Sequence, residues 1–286
     1  MGKFANSWAL FKESWAVLKR TPGLVTFPII SAVVTLAVAA GFFVPYYFLS
    51  GGVDLENTPA YIYVPVMFGF YLVTSFVVIF FNSGLVACAY ASLQGKPTNV
   101  SYGMSEATKR LPAIFGWALL SATVGVVIRL IGEYVPAVGR ILESILGFVW
   151  GVVTFFVVPV IVIEHGSPVA AVKKSAGLLK KSWGEQIIVG SGLGLATFLL
   201  SLIPVPFVVM AVFSGIVPVI VGAVALAVLW WIVLAVVTAA LQGVYQTALF
   251  VFASTDVKPR AFSSTVYANA FVPKKSTGWH KPPGAM

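Results

Sequence analysis

Five polar side chains stand in or beside otherwise apolar stretches of this chain, and any chemistry would begin with them. Asn82 lies in the run Tyr63–Leu93, Arg129 and Glu133 fall at the end of Ile114–Ile131, and Gln242 and Gln246 lie in Val219–Ala253. Polar groups are costly in hydrocarbon, so those kept there either face a substrate path or bond one helix to another. Asn82, Gln242 and Gln246 sit at comparable depths and could line one polar cavity. Arg129 and Glu133, four residues apart on one helix face, could add a charged lining for an ion. The plainer readings are interhelical hydrogen bonds for the amides and an ion pair reaching the outer surface for Arg129 and Glu133.

Bond-making chemistry has less to work with. The only histidines are His165 and His280, and the one cysteine is Cys88, inside an apolar run. Glu164 beside His165 could be imagined as an acid/base pair, but a solvated helix end at the headgroups explains it more simply. No HExxH, GxSxG, Walker or clustered-carboxylate pattern occurs. A lone cysteine excludes an intrachain disulfide and a cysteine-based zinc cluster. The expectation is a protein that is not an enzyme and uses no cofactor or metal.

The elements that must position these residues follow from composition. Of 286 residues 59% are hydrophobic and 9% charged, with a net charge of +9; soluble domains carry about 25% charged residues. The bilayer is therefore the solvent, and six segments reach the roughly 20 residues a spanning helix needs. They are Leu24–Leu49, Tyr63–Leu93, Ile114–Ile131, Ile141–Ile163, Ile187–Phe213 and Val219–Ala253. The last two share a long run broken by Pro204, Pro206 and Pro218. It reads as two kinked helices, with a re-entrant piece near Phe207–Pro218 as the fallback.

Cations set the orientation. Lys3, Lys12, Lys19 and Arg20 precede the first span, Lys96, Lys109 and Arg110 follow the second, and Lys173, Lys174, Lys180 and Lys181 follow the fourth. The tail holds five more, from Lys258 to Lys281, while the other side has Arg140 alone. Both termini are expected in the cytoplasm of a cell (inner or plasma) membrane, with the tail from Thr255 polar and disordered after a short amphipathic piece at Phe262–Phe271. The partners implied are membrane lipids, anionic ones foremost, and a second copy of the chain; nucleic acid is not expected.

Phe4–Arg20 carries Phe4, Trp8, Phe11, Trp15 and Leu18 as one helical stripe with cations off it, the pattern of an interfacial helix. A shift of 161 lays this segment on the fourth connection, placing Ala9, Lys12, Ser14, Leu18 and Lys19 on Ala170, Lys173, Ser175, Leu179 and Lys180. A shift of 90 matches Lys19, Arg20 and Pro22 with Lys109, Arg110 and Pro112. The fold class expected is an all-α membrane protein of six transmembrane helices, built as three hairpin repeats (about 4–97, 98–164 and 165–259) in a single domain spanning 1–255. Each hairpin follows a cytoplasmic amphipathic helix, with the stripe of the middle one at Val100, Met104, Ala107 and Leu111. Trp8, Lys12, Trp15, Lys19, Arg20, Lys173, Lys174, Lys180, Lys181 and Trp183 are the candidate lipid-surface residues. Gly166 can end the fourth span, with Ser167 and Pro168 starting the next helix. Gly190 with Gly194, and Gly147 with Gly151, have the spacing that lets helices approach closely.

The opening FANSWALFKESWAVLKRTPGLVTFPIIS and the stretch PVIVIEHGSPVAAVKKSAGLLKKSWGEQ resemble a prokaryotic family of six-span membrane proteins known as a domain of unknown function. A looser likeness runs to the membrane domain of some glycerophosphodiester phosphodiesterases, whose soluble catalytic domain has no counterpart here. The resemblance implies an integral membrane protein and brings no substrate or catalytic residue. The function expected is a non-enzymatic pore or transport-type protein, self-associating; the alternative is a membrane-organising scaffold that lays its basic helices on anionic lipid.

Overall fold

A computed structural model describes residues 14–50, 60–135 and 138–255, except for side chains at 49–50, 60–63, 180–193, 195, 252 and 255. The described residues are helical, with no strand among them. Helix α1 occupies residues 14–20, a 3₁₀ turn Pro22–Val25, α2 Thr26–Ser50, α3 Ala60–Leu93, α4 Val100–Lys109 and α5 Leu111–Tyr134. Then come α6 Gly139–Val153, α7 Val157–Ile163, α8 Pro168–Ser201, α9 Pro204–Phe213 and α10 Val217–Thr255.

Six stretches are long and apolar enough to cross a bilayer: Pro22–Phe48, Val64–Leu93, Leu111–Tyr134, Gly139–Ile163, Ala196–Phe213 and Val217–Val251. They fall on the six expected segments. The chain is a multi-pass membrane protein.

Local chemistry marks the joints. Gly95 ends α3 at φ 76° and Gly215 turns between α9 and α10 at φ 66°, a region open to glycine without a Cβ clash. Asn99 caps α4, its side chain accepting from the Tyr102 amide at 2.8 Å, and Pro112 and Pro168 stand in first turns, where no N–H is needed. At the end of α7 the left-handed residue is not Gly166 but His165, at φ 62°. Its ring nitrogen Nε2 lies 2.9 Å from Arg110 Nη2. An arginine can only donate, so the ring accepts there, a side-chain bond that holds the unusual backbone. Ser167 caps α8 through its backbone position alone, with no side-chain bond.

One end of the bundle gathers the cation-bearing connections. Thr21 Oγ1 and Ser92 Oγ are 3.1 Å apart, Arg110 meets His165, and Lys174 pairs with Glu164 at 2.5 Å. The buried core lies at this end, around Leu24, Phe27, Leu85, Ile114, Phe156, Val244 and Phe250. Large apolar side chains farther along α2, α6, α9 and α10 face outward, as lipid-covered helices do.

Several expectations change. The basic segment from Pro168 and the fifth span are one helix, α8, continuous to Ser201 and about 51 Å long at 1.5 Å per residue. The fallback of a re-entrant piece near Phe207–Pro218 gives way to the preferred reading of kinked helices, with α9 carrying the fifth span on to Phe213. In α1 the face turned into the protein is Ser14, Val17 and Leu18, whereas Trp15 is 37% exposed. Trp15 and Leu18 therefore do not share one lipid-facing stripe. Of the stripe expected on the middle amphipathic helix, Ala107 is buried and Val100 and Met104 pack against the core, joined there by Gly103, while Leu111 is exposed.

The glycines that let helices approach also differ from those expected. Gly147, Gly151 and Gly194 have open space where a Cβ would stand. The close crossing is between α3 and α4, where a Cβ on Gly103 would meet Gly84 O at 2.6 Å and Cys88 Sγ at 2.6 Å. Gly243 plays the same part between α10 and Leu85 of α3.

Candidate functional site

Two of the spans are broken at prolines, and the carbonyls that the breaks expose decide where polar side chains go. In a helix each carbonyl accepts from the N–H four residues on, and proline has none. Pro159 thus strips Phe155 O of its partner, and the Gln246 side chain crosses from α10 to donate to that oxygen. The same break leaves Val153 O and Phe156 N unpaired. Ser175 of α8, fully buried, donates its hydroxyl to Val153 O at 2.6 Å and accepts from Phe156 N at 3.0 Å. Pro204 likewise denies Leu200 O an N–H four residues on, leaving it a long bond from Ile203 N at 3.4 Å. The Trp230 indole takes Leu200 O at 3.0 Å, and Trp231 takes Ser201 O at 3.0 Å. No bilayer water is present to satisfy such groups, so the protein supplies the donors itself.

Beside the first break lies a cavity of about 720 Å³ between α2, α3 and α10. Asn82, Gln242 and Gln246 all line it, with Ser31 and Thr35 of α2. Its floor is Phe27 and Leu85, 1% and 2% exposed, and its rim includes Leu36 at 70%. No Lys, Arg, Asp or Glu is among the lining residues. The Thr35 hydroxyl is buried without a partner.

Arg129 and Glu133 do not join this cavity. Arg129 Nε donates to Glu133 Oε1 at 2.9 Å and Nη1 to Tyr71 OH at 2.9 Å, toward the opposite end of α5 from Arg110. Both are more than 40% exposed, which fits an ion pair reaching toward the membrane surface.

The candidate lipid-surface residues divide by what is described. Trp15, Lys19, Arg20, Lys173 and Lys174 are exposed, and the Lys19 ammonium sits 5.7 Å from the Trp15 ring centroid. Lys174 is engaged by Glu164. Trp8 and Lys12 lie outside the described residues, as does the tail segment Phe262–Phe271; the side chains of Lys180, Lys181 and Trp183 are likewise undescribed.

Sequence reasoning reached the cavity amides but missed Ser175, Trp230 and Trp231 as caps. The signal was available: Pro159 and Pro204 each name the carbonyl four residues back that needs a donor.

A family model described as a family of unknown function, DUF6159, matches residues 61–259. No curated protein matches the chain and no solved structure does; the likeness to glycerophosphodiester phosphodiesterases finds no support there.

Proposed function

The chain belongs to that family of unknown function, whose description assigns no activity, and we propose that it is a non-enzymatic, transport-type membrane protein with its substrate site in the uncharged cavity. The observation that carries this reading is the meeting of Asn82, Gln242 and Gln246, from two different spans, on one cavity within the bundle. Hydrogen-bonding groups without charge suit a neutral substrate, since a full charge there would lose its hydration with no counter-ion. We read the Lys- and Arg-rich end as cytoplasmic, by the charge rule. The relation between the first and third of the three repeats is supported by burial: Ser14, Val17 and Leu18 are buried as Ser175, Leu178 and Leu179 are, each 161 residues on.

The test is reconstitution into liposomes, with potassium ion, glycerol and a nitrobenzoxadiazole-labelled monoacylglycerol as probes of transbilayer movement. The expected result is faster movement of at least one neutral probe and none of potassium. Ala239→Phe, which fills the cavity, should abolish the gain and Arg129→Ala should leave it intact. If no neutral probe moves faster, or Ala239→Phe changes nothing, the reading fails.

A second reading, lipid organisation by the basic end, is favoured by the exposed Trp15, Lys19, Arg20, Lys173 and Lys174. An aromatic ring with an ammonium beside it suits the headgroup boundary. Self-association would extend such a surface. Neutralising Lys173, Lys174, Lys180 and Lys181 should remove retention of phosphatidylglycerol by the purified protein; unchanged retention removes this reading.

A further inference from the structure

We propose that the cavity between α2, α3 and α10 holds a neutral single-chain amphiphile, admitted sideways from the bilayer, with its uncharged head against Asn82 and Gln242. This rests on reading the cavity as a substrate site and goes further by naming the class of molecule it takes.

The first argument is the position of the mouth. Leu36 and Val78 both line the cavity yet are 70% and 46% exposed, while Phe27 and Leu85 close its floor. These rim residues lie on the apolar outer faces of α2 and α3, so the opening looks into lipid and not into an aqueous connection. Leu36 stands ten residues into α2, about 15 Å along the helix, and so near the middle of a hydrocarbon core about 30 Å thick. The cavity therefore spans the half of the bilayer on the Lys- and Arg-rich side.

The second argument is unspent hydrogen bonding. Among the described residues the side chains of Asn82 and Gln242 have no hydrogen-bond partner, and neither does the Thr35 hydroxyl. The Gln246 amide nitrogen is committed to Phe155 O, which leaves its oxygen. Bare amides in hydrocarbon are costly, and an occupant that both donates and accepts would remove the cost.

The third argument is what the lining excludes. With no cation present, a phosphate or carboxylate head would be buried without a partner. A partner's transmembrane helix has its backbone groups already satisfied, so an apolar one would leave the amides bare. A hydroxyl, ester or amide head on an apolar chain meets both conditions, and about 720 Å³ is within the usual range of ligand pockets.

The experiment uses the full chain in phosphatidylcholine–phosphatidylglycerol liposomes, photo-crosslinked to a diazirine-bearing monoacylglycerol or to a diazirine-bearing lysophosphatidylglycerol. The neutral probe should label peptides containing Leu36, Val78 or Ala239 about ten-fold more than the anionic one, and unlabelled monoacylglycerol should compete. Two neutral hydrogen bonds are worth about 25-fold together, so Asn82→Leu with Gln242→Leu should lower labelling by roughly that factor. Ala239→Phe, on the open side of the cavity, should abolish labelling and serves as the second variant should the amide pair fail to fold. Equal labelling by both probes, labelling indifferent to all three substitutions, or cross-links to a second copy of the chain would overturn the proposal. Labelling without transbilayer movement upholds the ligand class and removes the transport reading; movement of glycerol without labelling does the reverse.

Discussion

Replacing Gln246 with leucine tests the account of the broken fourth span most directly. The substitution keeps bulk and removes the donor that Phe155 O receives across the helix pair. Interhelical hydrogen bonds in membranes average about 0.6 kcal/mol with a maximum near 1.7. A buried carbonyl left bare costs about 1–3 kcal/mol. Because Phe155 O has been deprived of its helical donor by Pro159, the upper part of the membrane range applies. The expected loss is about 1.5 kcal/mol, or about 3–6 °C in midpoint by the scaling for domains of 150–250 residues. Cys88 gives the assay: it is the only cysteine and is 1% exposed, so a thiol-reactive fluorophore reports unfolding. The decisive form is a double-mutant cycle. Pro159→Ala restores an N–H four residues beyond Phe155, and in that background Gln246→Leu should cost less than about 0.5 kcal/mol, a coupling characteristic of groups in contact. If Gln246→Leu costs the same with and without Pro159, the carbonyl is not what the glutamine serves and the reasoning is wrong.

Other outcomes can be stated. Ser175→Ala should destabilise by about 1–3 kcal/mol, since one hydroxyl serves both a carbonyl and an amide at the break; the same thiol assay reads it. Gly103→Ala should lower the melting midpoint markedly, because Gly84 O, Cys88 Sγ and the Phe27 ring all stand within 2.6 Å of the added carbon. Gly147→Ala, with open space around it, should be neutral or stabilising by about 0.5–1 kcal/mol, the usual glycine-to-alanine gain in a helix. Arg129→Ala should cost no more than about 1 kcal/mol, the ordinary worth of an exposed ion pair, since both partners are more than 40% exposed. A larger drop would place that pair in a structural role.

The spans were legible in the sequence because a bilayer demands length and apolarity and little else. Leu111–Tyr134 and Gly139–Ile163 lie within three residues of their expected bounds. What periodicity could not reveal is which side of a basic helix faces protein. Trp15 and Leu18 sit on one helical stripe, yet only Leu18 is buried, because the protein-facing side of α1 is narrow and centred on Ser14 and Val17. Glycine spacing failed for a related reason. Gly147 and Gly151 have the right interval but open space beside them, while the close approach is between Gly84 and Gly103 of different helices, where Gly103 has the small Ala107 four residues on, a pairing a search for glycines alone passes over. The amides were found as a group because polarity within an apolar run is conspicuous. Their division of labour, with Gln246 capping Phe155 while Asn82 and Gln242 keep free groups on the cavity, depends on the break between α6 and α7, which no spacing within α3 or α10 encodes.

The caps on the broken spans bear on how the protein is made. Phe155 O, Leu200 O and Ser201 O all take side-chain donors from α10, which leaves the ribosome after the fourth and fifth spans. Until Val217–Thr255 is inserted, Phe155 O and Ser201 O lack their donors and Leu200 O keeps only the long bond from Ile203 N. The fourth and fifth spans would have to linger at the insertion machinery or admit water there. A nascent chain stopped before Trp230 would therefore hold five apolar spans and still be an unfinished object for membrane quality control. Helix α10 is then the clasp of assembly, and its arrival marks the moment at which the earlier spans can be released into lipid.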